Sequence, residues 1–303
     1  MIVAKCPLRV SLVGGSTDLQ SVIETYGYGG VISFPCNLYT YITLSERYDG
    51  NYHINYSRTE TVKSYEDIQN DIPREVLRYF NIPPVTVAFN CDIASAGSGL
   101  AASSSYLISM IKAVSTFLNL NLSQHEICTI ALEIERKFNP LTGYQDTYGC
   151  GIGGFKKLEF KLKDSEVDIT YNYLPVDVLK DSSMYLVPTA ITRSSTSILS
   201  TLDISKSILL YEDVIKLNQN IKDKSKFFSI VNKAWEKKKE TSSSILSSEL
   251  NEIESMLSSK YNVNGLKLCG AGGGGYFLVF SEDEVMEGRK IEIDNEGVRS
   301  WII

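Results

Sequence analysis

The segment Gly270-Ala271-Gly272-Gly273-Gly274-Gly275 holds five glycines in six residues. Each glycine loses more backbone entropy on folding than any other residue would, and the sum far exceeds what an ordinary turn needs. Close approach of backbone to a ligand or to another loop is the more economical reading of such a run. A flexible hairpin connection is the plainer alternative. The run formally matches G-x-G-x-x-G, but a dinucleotide fingerprint requires a helix after the glycines. Here Tyr276-Phe277-Leu278-Val279-Phe280 follows, with strand composition, so residues 266–280 read as strand, glycine loop, strand.

A second glycine-bearing segment precedes the strongest helical pattern. From Ser103 onward Leu107, Ile111, Val114 and Leu118 recur at three- and four-residue spacing, which puts one apolar stripe on a helix. Directly before it stands Ala96-Gly97-Ser98-Gly99-Leu100-Ala101-Ala102-Ser103-Ser104-Ser105. Unpaired N–H groups at a helix N-terminus form an anion site, glycine admits a phosphate chain, and serine hydroxyls bond phosphate oxygens or Mg²⁺. A small polar capping loop would look similar. Ser123-Gln124-His125-Glu126 has the form of a capping box and opens a second helix, carrying Ile127, Ile130, Ala131 and Ile134, that ends near Pro140.

Elsewhere, residues 2–13, 39–44 and 85–89 read as strands, the first running into the turn Gly14-Gly15-Ser16-Thr17-Asp18. Residues 141–155 read as a glycine-rich connection, 156–173 as exposed strands and 196–260 as polar helices. Residues 291–303, with a turn at Asp294-Asn295-Glu296-Gly297, read as a final hairpin. A domain boundary is expected near residues 155–175, since 303 residues exceed the usual size of one compact domain.

Composition removes several function classes. A net charge of −6 without a basic run leaves no electrostatic footprint for nucleic acid or an anionic membrane, so the expected partner is a small molecule. Six scattered cysteines without a C-x-x-C pair read as reduced thiols, Pro7 and Arg9 interrupt any leader-like apolar run, and no segment is long enough to span a bilayer. A cytoplasmic protein is expected, and nothing indicates an oligomer. His53 and His125 are the only histidines, which gives poor support to hydrolase triads and histidine metal sites. The P-loop pattern and the protein-kinase motifs are missing. Two carboxylates remain: Asp146, in a loop after the second helix, and Glu135, eleven residues earlier. They serve either one site, or separately as a turn former and a solvated helix residue. Arg9, inside an apolar strand, requires an anion.

Three motifs in order resemble those of the GHMP kinases, named for galactokinase, homoserine kinase, mevalonate kinase and phosphomevalonate kinase. They are Cys6-Pro7-Leu8-Arg9-Val10-Ser11-Leu12-Val13-Gly14-Gly15-Ser16-Thr17-Asp18, the Gly97 to Ser105 loop, and Lys267-Leu268-Cys269 with the glycine run. Gly143-Tyr144-Gln145-Asp146-Thr147-Tyr148, Thr192-Arg193-Ser194-Ser195 and Gly297-Val298-Arg299 are similar to the bacterial D-glycero-D-manno-heptose 7-phosphate kinases within that family. The resemblance implies an α/β (α+β) fold, with an N-terminal α/β domain over residues 1–160, a C-terminal ferredoxin-like domain over 161–303 and the active site between them. It implies ATP and Mg²⁺ as cofactors, and a sugar phosphate as substrate. Gly97, Ser98, Gly99, Leu100, Ala101, Ala102, Ser103 and Ser104 would hold the nucleotide, with Ser103 and Glu135 on the metal. Asp146 would be the catalytic base, with Arg9 beside it. Gly15, Thr17, Asp18, Arg193, Gly272 and Gly273 would contact the substrate. Ala101 and Ala102 depart from the family's G-L-G-S-S, and Ser95 from its proline. Two alternatives stay open: a kinase of an unphosphorylated sugar, and a non-catalytic sugar or nucleotide sensor with the same fold.

Overall fold

Strand β1 (Ile2–Val13) alternates buried and half-buried residues up to Cys6 and is covered on both faces beyond it, as suits a strand entering the interior. The computed structural model describes residues 1–94, 97–180, 182–192, 198–199 and 201–303. β2 (Tyr28–Glu46) pairs antiparallel with β1 along its length, from Ile2 opposite Leu44 to Val13 opposite Ile32. Strands β3 (Tyr52–Asn55), β4 (Thr59–Val62) and β5 (Val85–Cys91) extend the sheet beyond the second half of β2. The hairpin of β6 (Lys156–Lys163) and β7 (Glu166–Tyr173) extends it beyond the first half. The second sheet is antiparallel and contains β8 (Ser183–Pro188), β9 (Val263–Leu268), β10 (Tyr276–Ser281) and β11 (Arg289–Ile291), in the order β11-β8-β10-β9. The last strand, β12 (Arg299–Ile302), returns to pair with β1.

The main helices are α1 (Gln20–Tyr26), α2 (Asp71–Phe80), α3 (Ala102–Phe117), α4 (Gln124–Phe138), α5 (Tyr144–Gly151), α6 (Tyr211–Gln219), α7 (Lys224–Lys239) and α8 (Ser248–Lys260). Ile42 and Val87 of the first sheet share a core with Leu107, Ile111, Ile127 and Ile134 of α3 and α4. α3 is covered on more sides than one stripe implies: Ser105 and Ser109 are buried with hydroxyls 2.7 and 3.0 Å from that of Thr40. α4 opens on the capping box expected at Ser123 and Glu126. A second core joins Leu8 and Phe34 of the first sheet to Leu278 and Phe280 of the other through Val214, Phe227 and Val231 of α6 and α7. The loops at the ends of both sheets thereby meet.

Three sequence expectations change. Residues 144–151 form α5, so Asp146 lies in the first turn of a helix and not in a loop. Its glycines are packing requirements: a Cβ at Gly149 would stand 3.2 Å from Arg9, and one at Gly151 2.4 Å from the Cys128 sulfur. Buried Lys156 donates from Nζ to the carbonyls of Gly149, Ile152 and Gly154 at 3.3, 2.5 and 3.4 Å, giving carbonyls at the helix C-terminus a donor. Strand β6 is paired on both edges, by β2 and β7, and Lys156, Leu158 and Phe160 are fully buried, the last two in a core with Cys128 and Leu132 of α4 and Tyr148 of α5. No final hairpin forms, since β11 and β12 belong to different sheets. The Asp294 carboxylate holds the crossing by accepting from the Glu296 and Gly297 amides at 2.9 and 2.7 Å and from Arg299. The division expected between residues 160 and 161 falls inside β6, and the chain changes sheet only after β7. Among the described residues no helix is long and apolar enough to cross a membrane, and the six cysteines are free thiols.

Candidate active site

Positive φ recurs at every second residue before α3: Gly97 at 67°, Gly99 at 73° and Ala101 at 58°, with Ser98 and Leu100 outside that region. Alternation of this kind turns successive N–H groups toward one side and forms an anion-binding concavity, here continuous with a helix N-terminus. Ala101 is the N-cap residue and keeps the left-handed conformation despite its Cβ. Leu100 is fully buried in the core and contributes backbone alone, whereas Gly97, Ser98, Gly99, Ala101, Ala102, Ser103 and Ser104 line a cavity of about 450 Å³.

The glycine run seats against this loop. A Cβ at Gly270 would lie 2.6 Å from the Gly99 carbonyl oxygen, one at Gly275 2.4 Å from that of Ser98, and one at Gly99 2.6 Å from that of Cys269. The two loops pack backbone on backbone, which explains the entropy cost that marks the run. Gly270 and Ala271 line the cavity. Gly272 and Gly273 do not: one packs on Ile245, and the other donates its amide to the Ile245 carbonyl at 2.8 Å.

Three acidic side chains converge from different elements. Arg9, 4% exposed, donates from Nε and Nη2 to Asp146 Oδ1 at 3.1 and 2.8 Å and from Nη1 to the Gly99 carbonyl at 2.7 Å. The Asp146 side chain is 26% exposed, and among the described residues its Oδ2 accepts no hydrogen bond. Asp18, wholly buried, accepts from the Ser16 amide at 3.1 Å and from Gln145 Nε2 and the Gln145 amide at 2.8 and 3.1 Å. Burial, helped by the Asp146 charge, pushes its carboxyl up to about 6. Glu135 accepts from Ser104 Oγ at 2.7 Å, and burial pushes it up to about 7.

Arg9, Asp18, Glu135, Asp146 and the loop before α3 therefore share one cavity. Thr17 does not reach it, because its hydroxyl faces the Gly14 carbonyl of its own turn and the Gly30 carbonyl of β2, at 2.8 and 2.7 Å. Gly15 stands behind the wall, next to Lys238. Ser103 is exposed on the first turn of α3, and Ser104 is the serine that faces Glu135. Arg193 lies outside the described residues.

Two wall residues escaped the sequence reading. Gln145 neighbours Asp146 and was detectable as the other polar residue of that turn. Lys238 hides in the run Lys237-Lys238-Lys239, but it follows buried Val231, Ala234 and Trp235 by seven, four and three positions, so helical phase places it on the buried face.

Asp18 offers a pH test. Its folded carboxyl binds a proton more tightly than the unfolded one, whose ordinary value is 3.8. The stabilisation is complete below that value and is lost as pH rises through about 6. The stability of the wild type relative to Asp18→Asn should therefore fall between about pH 4 and about pH 7, by up to roughly 3 kcal/mol. Denaturant unfolding of both proteins across that range measures it, and a pH-independent difference would show that the carboxyl titrates normally.

Comparison with known proteins bears on this cavity. Residues 64–154 match the GHMP kinases N terminal domain family. The D-glycero-alpha-D-manno-heptose 7-phosphate kinase of Campylobacter jejuni is 29% identical over 98% of this chain and 98% of its own. The fold is shared with the D-glycero-D-manno-heptose 1-phosphate kinase of Bacteroides thetaiotaomicron (TM-score 0.77, 22% identity, 100% of this chain and 99% of that one). It is also shared with the galactokinase of Lactococcus lactis complexed with galactose (TM-score 0.78, 15% identity, 98% and 95% of the two chains).

Proposed function

The chain belongs to the GHMP kinases and is an ATP-dependent sugar kinase, and on that premise we propose that it phosphorylates the anomeric hydroxyl of D-glycero-D-manno-heptose 7-phosphate. The observation that carries the reading is the anchored, partly exposed Asp146 carboxylate in one cavity with the alternating-φ loop. The loop amides and the α3 N-terminus bind the ATP phosphates. Asp146 Oδ1 stays on Arg9 while Oδ2 orients the sugar hydroxyl and accepts its proton. Arg9 offsets charge at the attacking and transferring groups, and Asp18 bonds sugar hydroxyls. Catalysis by positioning and electrostatics suffices for phosphoryl transfer. Retention of the loop shape at Ala101 keeps the anion-binding concavity despite the added Cβ.

The residues present fit Mg²⁺. Glu135 is a buried carboxylate whose proton affinity burial has raised, so a cation would relieve the cost of charging it, and the Ser103 and Ser104 hydroxyls supply further oxygen donors. When bound, the ion would neutralise charge on the ATP phosphates. Glu135→Gln should raise the Mg²⁺ concentration for half-maximal activity by at least the roughly 10–100-fold that loss of an outer-shell partner costs. An unchanged Mg²⁺ titration would remove Glu135 from the metal.

The deciding experiment is ADP release with a panel of acceptors, including D-glycero-D-manno-heptose 7-phosphate, the unphosphorylated heptose and galactose, with the product's phosphate position read by phosphorus NMR. Turnover with the heptose 7-phosphate and a new C1 phosphate are expected. Equal or better turnover of an unphosphorylated sugar would replace the substrate, and no ADP release with any acceptor would favour the sensor.

A further inference from the structure

Helix α5 carries Asp146 in its first turn, yet the residue at its N-cap position is Gly143, which has no side chain with which to cap it. Serine, threonine, aspartate and asparagine ordinarily do this by accepting from the N2 or N3 amide. Backbone conformation does not ask for the glycine, since φ −80° and ψ 160° are open to any residue. Asp18 asks for it. A Cβ at Gly143 would collide with Asp18 Oδ2 and stand 2.9 Å from Asp18 Cγ, so the carboxylate fills the space an N-cap side chain would take.

The hydrogen bonds agree with that placement. Asp18 Oδ2 accepts from the amide of Gln145, the N2 position, at 3.1 Å. The Asp18 carbonyl accepts from the amide of Tyr144, the N1 position, also at 3.1 Å. Two amides that no carbonyl within the helix can satisfy therefore end on one residue outside it. Asp18 Oδ1 accepts from Gln145 Nε2 and the Ser16 amide at 2.8 and 3.1 Å. Protein donors thus fill three of the roughly four acceptor sites of a carboxylate, on a residue 1% exposed, which leaves little of it for a ligand. The turn that delivers Asp18 is itself tied down, the Thr17 amide bonding the Gly14 carbonyl at 3.0 Å and the Thr17 hydroxyl meeting the Gly30 carbonyl of β2 at 2.7 Å. Asp146 is therefore held twice: its helix from the turn after β1, and its carboxylate by Arg9 within β1.

We propose that Asp18 is a positioning residue: its carboxylate is the N-cap of α5, supplied from outside the helix, and by fixing the first turn it places Asp146 against the acceptor hydroxyl. This rests on the reading of Asp146 as the base. Without the cap the first turn of α5 frays, and Arg9, which grips Oδ1 alone, does not set the direction of Oδ2. A displacement of about 1 Å at a reacting group costs on the order of 10²-fold in rate. A sugar hydroxyl that meets what remains of the carboxylate contributes to binding instead, so the two contributions separate in the kinetics.

The test uses ATP with D-glycero-D-manno-heptose 7-phosphate, or with the acceptor that replaces it in the panel above. Asp18→Ala should lower kcat roughly 10–100-fold, with KM for ATP nearly constant. Adding Gly143→Ser supplies a cap from within the helix, in the space that Asp18→Ala vacates. The double variant should recover most of kcat, while any rise in KM for the sugar persists. In the wild-type background the same Gly143→Ser should lower kcat, because its Cβ meets the carboxylate. One substitution is thus expected to act in opposite directions. If Asp18→Ala leaves kcat unchanged, or if Gly143→Ser does not raise it in that background, Asp18 has no positioning role. Gly143→Ala keeps the carboxylate and fills its seat, and serves if Asp18→Ala folds poorly: kcat should drop likewise, and a normal kcat would overturn the proposal. Hydrogen exchange of residues 143–151, read by mass spectrometry, needs no acceptor. Exchange should quicken in Asp18→Ala and slow again in the double variant. If the wild type turns over no acceptor, the reading of Asp146 as the base fails by itself and exchange decides the cap, which equal protection in all three proteins would refute.

Discussion

Asp146→Asn should lower kcat by roughly 10²–10⁴, the usual contribution of a positioned acid–base group, while nucleotide binding changes little. The amide keeps the carboxylate's shape, so its oxygen can still accept from Arg9 Nε and Nη2, as Oδ1 now does at 3.1 and 2.8 Å. It has no basicity with which to take the hydroxyl proton. The loop proposed to hold ATP does not depend on this residue: Arg9 also bonds the Gly99 carbonyl and, through its amide, the Leu100 carbonyl at 3.1 Å. Some stability will be lost, because Arg9 is buried and loses its counter-charge. The 26% exposure of the Asp146 side chain moderates that loss. Thermal unfolding and nucleotide titration of the variant therefore accompany the rate measurement. Near-normal turnover in a folded, ATP-binding variant would remove Asp146 from the chemistry and make its pair with Arg9 structural.

Much of this site was legible because its signals are local. Five glycines in six residues have few explanations, and of the two that involve close approach, to a ligand or to another loop, Gly270 and Gly275 display the second, against Gly99 and Ser98. The apolar phase of α3 located the helix whose N-terminus faces the cavity, and the spacing of Glu135 and Asp146 suggested one shared site. Helix α5 was illegible for the opposite reason. Glycine ordinarily disfavours a helix, and the cause of this one is tertiary: Gly149 admits Arg9, Gly151 admits Cys128, and Lys156 holds the last carbonyls. The chain from β11 to β12 misled in the same way, since a turn sequence records the turn and not the sheet that each arm joins. Lys238 was hidden by its neighbours, because a run of three lysines looks like a solvated face unless its helical phase is followed back to Val231.

The glycine run itself predicts the second large effect: Gly275→Ala should raise KM for ATP on the order of 10²-fold, as a 1 Å displacement of positioning groups can. Gly275 has φ +97°, and its new Cβ would stand 2.4 Å from the Ser98 carbonyl oxygen and 2.9 Å from that of Gly97. Both contacts are backbone, so no side-chain rotation relieves them. Either the loop before α3 moves away and its N–H groups lose their common aim, or the glycine run lifts and uncovers the cavity. Two costs are mixed in this substitution, the left-handed backbone and the collision, and Gly50→Ala separates them. Gly50 has φ +75° with nothing within 4 Å of the added carbon, so that variant carries backbone strain of roughly 1–2 kcal/mol and no collision. Gly50→Ala should lose a little stability and keep its kinetics, while Gly275→Ala should lose ATP affinity beyond what its stability change explains. If the two variants behave alike in KM for ATP, the contact between the loops does not shape the nucleotide site, and the glycines serve the conformation of their own loop alone.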